Sequence, residues 1–392
     1  MPLDRVLARL RQRITPTRRA AFLACFIAGY LIHLFAFTNI IPNSDGLSRV
    51  FDPQQMTVSG RWFLHYASFL NDFTQMPALI GFFSMVFLAL AAAGVVTALN
   101  LHSRALSAFA GGLMAAFPCL GYTFLYMFTA SAYCLAILLA VLAVCLVKKG
   151  GWLRTLAGVV LLALAMGIYQ AYAAVAVALS LLVVLRACLH SRSTLKGTAR
   201  LGFRLAGFLA VGAALYYGIL QIFLAVKDLE LLDYLGMSDA GSGYPVAQLP
   251  GLILSAYKQV FVFFFWPNGS NSFTTPLLAG LDLLALALAV ACFLAIVFRR
   301  ALWREPWRLI GALVLAALLP LAVGFAQIIA PFSDATPIMK YAYVLVYMAV
   351  LLTADLGLSF LPRPRGGMAV SGVLALCLAG VTLYSANINN LL

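Results

Sequence analysis

The sequence predicts an all-α, polytopic membrane protein, and three observations carry that prediction. Hydrophobic residues make up 64% of the 392 and charged residues only 10%. Apolar runs repeatedly pass the ~18 residues that mark a membrane span. The basic residues gather in alternate loops, as the positive-inside rule requires of a chain threaded through a bilayer. Length rules for soluble proteins would divide such a chain into two or three domains, but they do not apply where lipid replaces water. Residues 20–392 are therefore read as one transmembrane domain behind a basic inner segment, 1–19.

In order, the apolar runs fall at 20–41, 77–99, 105–121, 129–147, 153–169, 171–187, 204–226, 277–298, 308–330, 341–360 and 367–386. Taken as spans they give a bundle of about 11 transmembrane helices. The first run, of ~22 residues, exceeds a signal-peptide core and lacks a small-x-small cleavage site, so a retained signal anchor is expected. Residues 152–187 are apolar almost throughout and as one helix would reach roughly 54 Å, far beyond a ~30 Å hydrocarbon core. A tight hairpin at Tyr169-Gln170 is the expected break. The run 250–266 is apolar enough to span but holds Lys258 near its middle. Spanning would carry the loop with Arg299, Arg300, Arg304 and Arg308 to the outer side, so this run is read as an interfacial or re-entrant helix within an outer loop, 227–276. The N-terminus is then inside and the C-terminus outside.

The formal charge of +14 raises nucleic acid as a partner, and the position of the charges removes it. Of 26 basic residues, only Arg49, Arg61, Lys227, Lys258 and Lys340 fall outside the inner segments, which leaves 21 explained by orientation. The acids divide the other way, with Asp45, Asp52, Asp72, Asp228, Glu230, Asp233, Asp239 and Asp334 in outer segments. Asp282 and Asp355 fall near span ends and are expected to reach the interface. The seven cysteines lie in or beside apolar runs without CxxC or Cys/His ligand spacing, so neither a disulfide nor a structural zinc is expected.

The outer segments hold the chemistry. In the first outer loop, 43–76, Ser44 can cap a short helix ending before Asp52-Pro53, which would place Asp45, Arg49 and Asp52 on one face. A solvated helix with a surface ion pair would show the same spacing. A second, interfacial helix is expected from near Ser59, with Trp62, Phe63, Tyr66, Phe69, Leu70 and Phe73 on its aromatic face. Arg61, His65, Ser68 and Asp72 would share the other face, and membrane anchoring alone accounts for the aromatics but not for Arg61 and Asp72. Residues 227–250 read as a lid or a linker, 267–276 as a run of amides and hydroxyls suited to sugar or to solvent, and 331–341 supplies Asp334 and Lys340. Acids and bases converging on one membrane surface suit transfer of a sugar from a lipid-linked phosphate: a carboxylate deprotonates the acceptor hydroxyl, and cations neutralise the departing phosphate. Asp45 with Arg49, Arg61, Lys258 and Lys340 would provide these parts, with Asp52, His65, Asp72, Tyr169, Gln170 and Asp334 as further candidates.

A first outer loop with an acid directly after the first span resembles the GT-C class of glycosyltransferases, which use polyprenyl-phosphate sugars. More narrowly, NSDGLSR at 43–49, SGRW at 59–62, Phe117-Pro118 and GIYQAY at 167–172 look like the phage-type O-antigen glucosyltransferase II family. The resemblance implies a GT-C-like bundle with interfacial helices in the first periplasmic loop. It also implies inverting transfer of glucose from undecaprenyl-phosphate glucose to a lipopolysaccharide O-antigen or related surface glycan. The setting would be the periplasmic face of a bacterial inner membrane. By position Asp45 matches the family's first-loop acid and Arg61 its Gly-Arg-Trp arginine. GT-C enzymes that use a divalent cation often present paired acids, whereas Asp45 is followed by Gly46, so transfer without metal or other cofactor is expected while a divalent cation stays open. The implied partners are the lipid-linked donor, the glycan acceptor and membrane lipids. A lipid-linked sugar flippase or other transporter, an O-antigen polymerase and a membrane acyltransferase remain the competing classes. Transporters more often carry internal repeats or mid-membrane ionisable groups, and acyl transfer generally needs a placed His or Ser.

Overall fold

The structure, a computed structural model, describes residues 14–41, 53–70, 76–190, 193–231, 248–266, 273–329, 336–360 and 365–391. Among these every regular element is helical. The chain runs α1 (Pro16–Ile32), α2 (Leu34–Thr38), α3 (Pro53–Val58), α4 (Leu64–Ala67), α5 (Pro77–Leu99), α6 (Arg104–Ala116), α7 (Pro118–Leu125), α8 (Met127–Lys149) and α9 (Trp152–Ile168). It continues through α10 (Ala173–Leu189), α11 (Leu195–Lys227), α12 (Leu249–Phe265), α13 (Pro276–Arg299), α14 (Pro306–Val323), α15 (Phe325–Ile329), α16 (Val344–Gly357) and α17 (Arg365–Leu391). Two 3₁₀ turns matter below, Gln170–Tyr172 before α10 and Pro337–Tyr343 before α16.

Among the described residues eight helices are long and apolar enough to cross a membrane, or up to nine if α6 and α7 count as one bent span. The eight correspond to the expected runs at 77–99, 129–147, 171–187, 204–226, 277–298, 308–330, 341–360 and 367–386. The other three runs are modified locally. Residues 20–41 break at His33 between α1 and α2, and 105–121 bends by 40° between α6 and α7. Residues 153–169 form α9, of 17 residues, which ends at an extended Tyr169 (φ −159°, ψ 117°), so the hairpin break lies where the length argument put it. The segment 250–266 is likewise a helix of 17 residues, α12.

The α6–α7 break follows from Pro118, which has no N–H to donate and whose ring clashes with the carbonyl four residues back. Inside a membrane each carbonyl so released needs a partner from the protein. Tyr341 Oη donates to Met114 O (2.9 Å), His33 Nε2 lies 3.0 Å from Ala115 O, and Asn389 Nδ2 donates to Ala116 O (2.6 Å). On the far side of the break Gly121 N donates to Asn389 Oδ1 (2.9 Å). Three distant segments thus converge on one interruption, and His33 has the structural role of a carbonyl partner.

At one end of the bundle, cations close helix C-termini. Lys148 Nζ donates to Ala98 O (2.7 Å) at the end of α5 and to Asn100 Oδ1 (3.0 Å), and Arg204 Nη2 donates to Lys148 O (2.9 Å) at the end of α8. Arg300 donates to Leu189 O at the end of α10, while Arg308 holds His190 O (2.9 Å), Ser193 O (2.6 Å) and Glu305 (2.8 Å). The last carbonyls of a helix lack intrahelical partners and carry its negative dipole end, so Lys and Arg are the complementary groups. These cations come from the loops that the charge count assigned to one side.

The side chains of the two acids expected at the interface are buried against neighbouring helices. The Asp355 side chain is 2% exposed and accepts from Ser103 N (2.9 Å), His102 N (3.1 Å) and His102 Nδ1 (3.1 Å). It therefore caps the positive N-terminus of α6 from a neighbouring helix. Asp282 stands about 9 Å along α13 from Pro276. It is 5% exposed and takes a hydrogen bond from Tyr347 Oη (2.8 Å).

Candidate functional site

At the end opposite the cation network lies the turn Ser59–Trp62. Its shape is set by the way α3 stops. Gly60 N donates to Thr57 O (2.9 Å) and Arg61 N to Met56 O (2.8 Å), with Gly60 at φ 79°. This is a Schellman closure, which needs a left-handed residue at the position that glycine fills. It also corrects the expectation of a helix beginning near Ser59: that residue follows the end of a helix, and the next one, α4, spans only Leu64–Ala67. The faces change accordingly. Trp62, Leu64, Ala67 and Ser68 are buried, whereas His65, Tyr66 and Phe69 are exposed. Gly60→Ala is expected to lower stability by about 1 kcal/mol, because a Cβ disfavours the left-handed region. A reduced midpoint of heat-induced unfolding in detergent, with Gly60→Asn closer to wild type, is the measurement that checks it.

The turn is docked onto the α9–α10 hairpin. Phe63 N donates to Gly167 O (2.8 Å), Gln170 Nε2 to Ser59 O (2.8 Å) and Tyr216 Oη to Gly60 O (2.9 Å). Gly167 permits the approach, since a Cβ there would lie 2.8 Å from the Trp62 ring and 2.9 Å from Phe63 Cβ. The Trp62 indole stacks on Phe223 (5.7 Å, 20°) and Tyr216 (6.5 Å, 25°) of α11. Lys227, beside the Phe223 ring at 5.6 Å, reaches Thr57 Oγ1 at 3.5 Å and ties α3 to the same helix. The motifs SGRW and GIYQAY are therefore two halves of one contact.

Arg61 is the cation this contact positions. Its Nε donates to Ser59 Oγ (3.0 Å), its Nη1 to Tyr133 Oη (3.3 Å), and the guanidinium lies 5.8 Å from the Tyr169 ring centroid. Tyr133, Tyr169 and Tyr172 pack together, with Tyr133 and Tyr169 stacked at 5.0 Å and Tyr172 edge-on to both at 5.9 and 5.5 Å. A half-buried guanidinium fixed in this way is preorganised, and a planar fork of N–H donors suits a phosphate better than an ammonium does.

Of the other sequence candidates, Lys340 is buried in the 3₁₀ turn Pro337–Tyr343, which packs against α7 and against the Gln170–Tyr172 turn. The turn that carries Lys340 thus packs against the hairpin that braces Arg61. Lys258 is placed differently: α12 turns Ala256, Val260, Phe263 and Phe264 inward and leaves Lys258 exposed. His65 is exposed on α4, with its ring 5.5 Å from that of Tyr66. Asp45, Arg49, Asp52, Asp72 and Asp334 lie outside the described residues.

Sequence reasoning passed over Ser59, Tyr133, Gly167 and Tyr216 as parts of the site. Ser59 and Gly167 open the two quoted motifs, which is the signal available for them. Tyr133 and Tyr216 sit in long apolar helices and carry no local signal. Buried Asp282, beside a small cavity walled by Phe117, Phe263 and Phe264, was also passed over as a site residue.

A family model described as Glucosyl transferase GtrII matches residues 34–353, which include SGRW, Phe117-Pro118, GIYQAY and Lys340. No curated protein and no solved structure matches the chain.

Proposed function

The chain belongs to the glucosyl transferase GtrII family, and on that premise we propose that it moves glucose from an undecaprenyl-phosphate donor to a lipopolysaccharide O-antigen or related glycan. Family membership makes it a glucosyltransferase, and its long apolar helices make it a membrane protein. The donor, the acceptor and the periplasmic face are the proposal's own. The observation that carries the reading is the fixed Arg61 guanidinium at the junction of the first outer loop and the α9–α10 hairpin.

In the proposed reaction Asp45 removes the proton from an acceptor hydroxyl as that oxygen attacks the anomeric carbon. The bond between this carbon and the phosphate oxygen breaks, the configuration inverts, and polyprenyl phosphate leaves with the bonding electrons. Charge grows on the phosphate as the bond lengthens, so a preorganised cation there lowers the barrier more than it lowers the energy of the bound donor. Arg61 is assigned that task, with Arg49 and Lys340 as further phosphate ligands, while Lys258, exposed on the outer side of α12, is left out of that set. Tyr169 and Gln170 hold the guanidinium and its loop in place. Asp52, His65, Asp72 and Asp334 remain candidates for orienting the sugar and the acceptor. The lipid tail would lie along the exposed apolar faces of the bundle while its head group meets the turn. No metal is required in this scheme, because the cations are supplied by side chains.

The test is reconstitution. The purified protein in liposomes, given undecaprenyl-phosphate glucose and an O-antigen acceptor, is expected to add a single hexose, read by mass. Lipid-linked sugar crossing the bilayer without any gain in acceptor mass would instead establish a flippase, and a lengthened repeat polymer would establish a polymerase.

A further inference from the structure

Asp282 is the one acid of α13, and the proposed transfer does not use it. Acids are costly inside a membrane helix, so its place needs a physical reason. Charge pairing does not supply one, because among the described residues no Lys, Arg or His lines the cavity beside it. Nor does substrate contact: the cavity measures about 10 Å³, room for about one water and not for a sugar. What the Asp282 carboxylate does hold, among the described residues, is a single hydrogen bond, accepted from Tyr347 Oη (2.8 Å).

Tyr347 stands in the first turn of α16, which continues without a break from the 3₁₀ turn Pro337–Tyr343, so that Pro337–Gly357 is one helical run. Lys340, 8% exposed, lies at the head of this run, about two turns before Tyr347. Ring contacts surround the same stretch. Tyr343 packs on Phe263 (5.0 Å) and Phe264 (6.2 Å) of α12, and Tyr347 is edge-on to Phe117 (6.4 Å) and Phe264 (5.6 Å). Such contacts tolerate small slides, whereas hydrogen bonds are directional and weaken steeply when bent. Tyr341 Oη, bonded to Met114 O (2.9 Å), pins the run at one point, which alone would let it pivot. The bond between Asp282 and Tyr347 pins it at a second point, from a different helix.

We propose that Asp282 is a positioning residue for Lys340. Held by Asp282, Tyr347 fixes the rotation and height of the helical run, and with them the place where the Lys340 ammonium meets the donor phosphate. The proposal rests on the reading of Lys340 as a phosphate ligand. Asp282 itself touches neither donor nor acceptor and acts through Tyr347. A carboxylate oxygen and an amide oxygen both accept from a hydroxyl, so the hydrogen bond, and not the charge, is the part that matters.

The experiment compares Asp282→Ala, Asp282→Asn, Tyr347→Phe and the double variant Asp282→Leu with Tyr347→Phe in the full chain, purified in detergent and reconstituted in liposomes. The first readout is labelling of Lys340 by an amine-acylating reagent, followed by mass spectrometry, with Lys148 at the opposite end of the bundle as internal reference. Asp282→Ala and Tyr347→Phe are expected to raise Lys340 labelling severalfold relative to Lys148, while Asp282→Asn, whose amide oxygen still accepts, stays near wild type. The double variant leaves no polar group unpaired and should fold as well as wild type, yet its Lys340 labelling should stay raised, which separates loss of the pin from loss of stability. The second readout is hexose transfer. Asp282→Ala is expected to lower kcat roughly tenfold, part of the ~10²-fold that a misplacement of about 1 Å costs, and to add no further loss in a Lys340→Gln background. Unchanged Lys340 labelling in Asp282→Ala, an equal rise at Lys148, or full additivity with Lys340→Gln would overturn the proposal. Labelling does not involve glucosyl transfer, so a wild-type protein that transfers no hexose overturns the proposed function, while the positioning of Lys340 is decided by the labelling alone.

Discussion

Arg61→Gln is expected to lower the rate of glucosyl transfer by roughly 10²–10³, the range seen when one preorganised donor to a developing oxyanion is removed. Glutamine keeps a polar side chain able to meet Ser59 and Tyr133 but lacks the charge that the departing phosphate needs. The loss should appear mainly in kcat, because the phosphate gains charge on the way to the transition state. Arg61→Lys should recover only part of it. An ammonium restores the charge without the planar fork that Ser59 Oγ and Tyr133 Oη hold, and without the same stacking beside Tyr169. Kinetics of hexose transfer in reconstituted liposomes separates these cases. If Arg61→Gln raises KM alone and leaves kcat intact, Arg61 contributes uniform binding and not transition-state stabilisation. Gln170→Leu provides the companion test. It removes the hydrogen bond to Ser59 O that braces the turn and should reproduce a milder form of the same kcat defect without touching the cation.

Asp45→Asn is expected to lower transfer by roughly 10²–10⁴ while leaving donor binding in place, as removal of a general base does. Asparagine has almost the same size and still orients a hydroxyl, but it cannot take the proton. The measurement is binding of undecaprenyl-phosphate glucose alongside product formation in the same preparation. Retained activity would remove Asp45 as the base, and Asp52, His65, Asp72 and Asp334 would then be taken in turn. The two variants also differ in what they should do to the pH profile. Loss of a base removes the acid-side limb of the rate profile, whereas loss of the phosphate cation lowers the rate at every pH.

The sequence carried the layout of the spans because hydropathy and charge are local properties. The break at Tyr169-Gln170 followed from helix length against membrane thickness, and the structure has α9 ending at Ile168. The side of the cations followed from the positive-inside rule, and those described in the fold gather at one end on helix C-termini. The first outer loop was less legible. Periodicity of the aromatics pointed to one helix from Ser59, but periodicity cannot register a left-handed glycine that stops one helix and starts a turn. Gly60 made that difference, and with it the burial of Trp62 and Ser68. The burial of Asp282 and Asp355 was not legible for a related reason: nearness to a span end in sequence does not reveal whether another helix covers the side chain.

By itself, then, the sequence determined that this is a bundle of membrane helices, roughly where each lies, which end carries the cations and, through four short motifs, its resemblance to a glucosyltransferase family. Each of these is written in neighbouring residues or in composition. Only the tertiary structure decided that SGRW and GIYQAY touch, that Tyr133 and Ser59 hold Arg61, and that His33, Tyr341 and Asn389 meet at the carbonyls freed by Pro118. Those partners are separated by up to 273 residues. In a membrane a polar group without a partner is costly wherever it is buried, and which distant side chain satisfies it depends on how the helices pack.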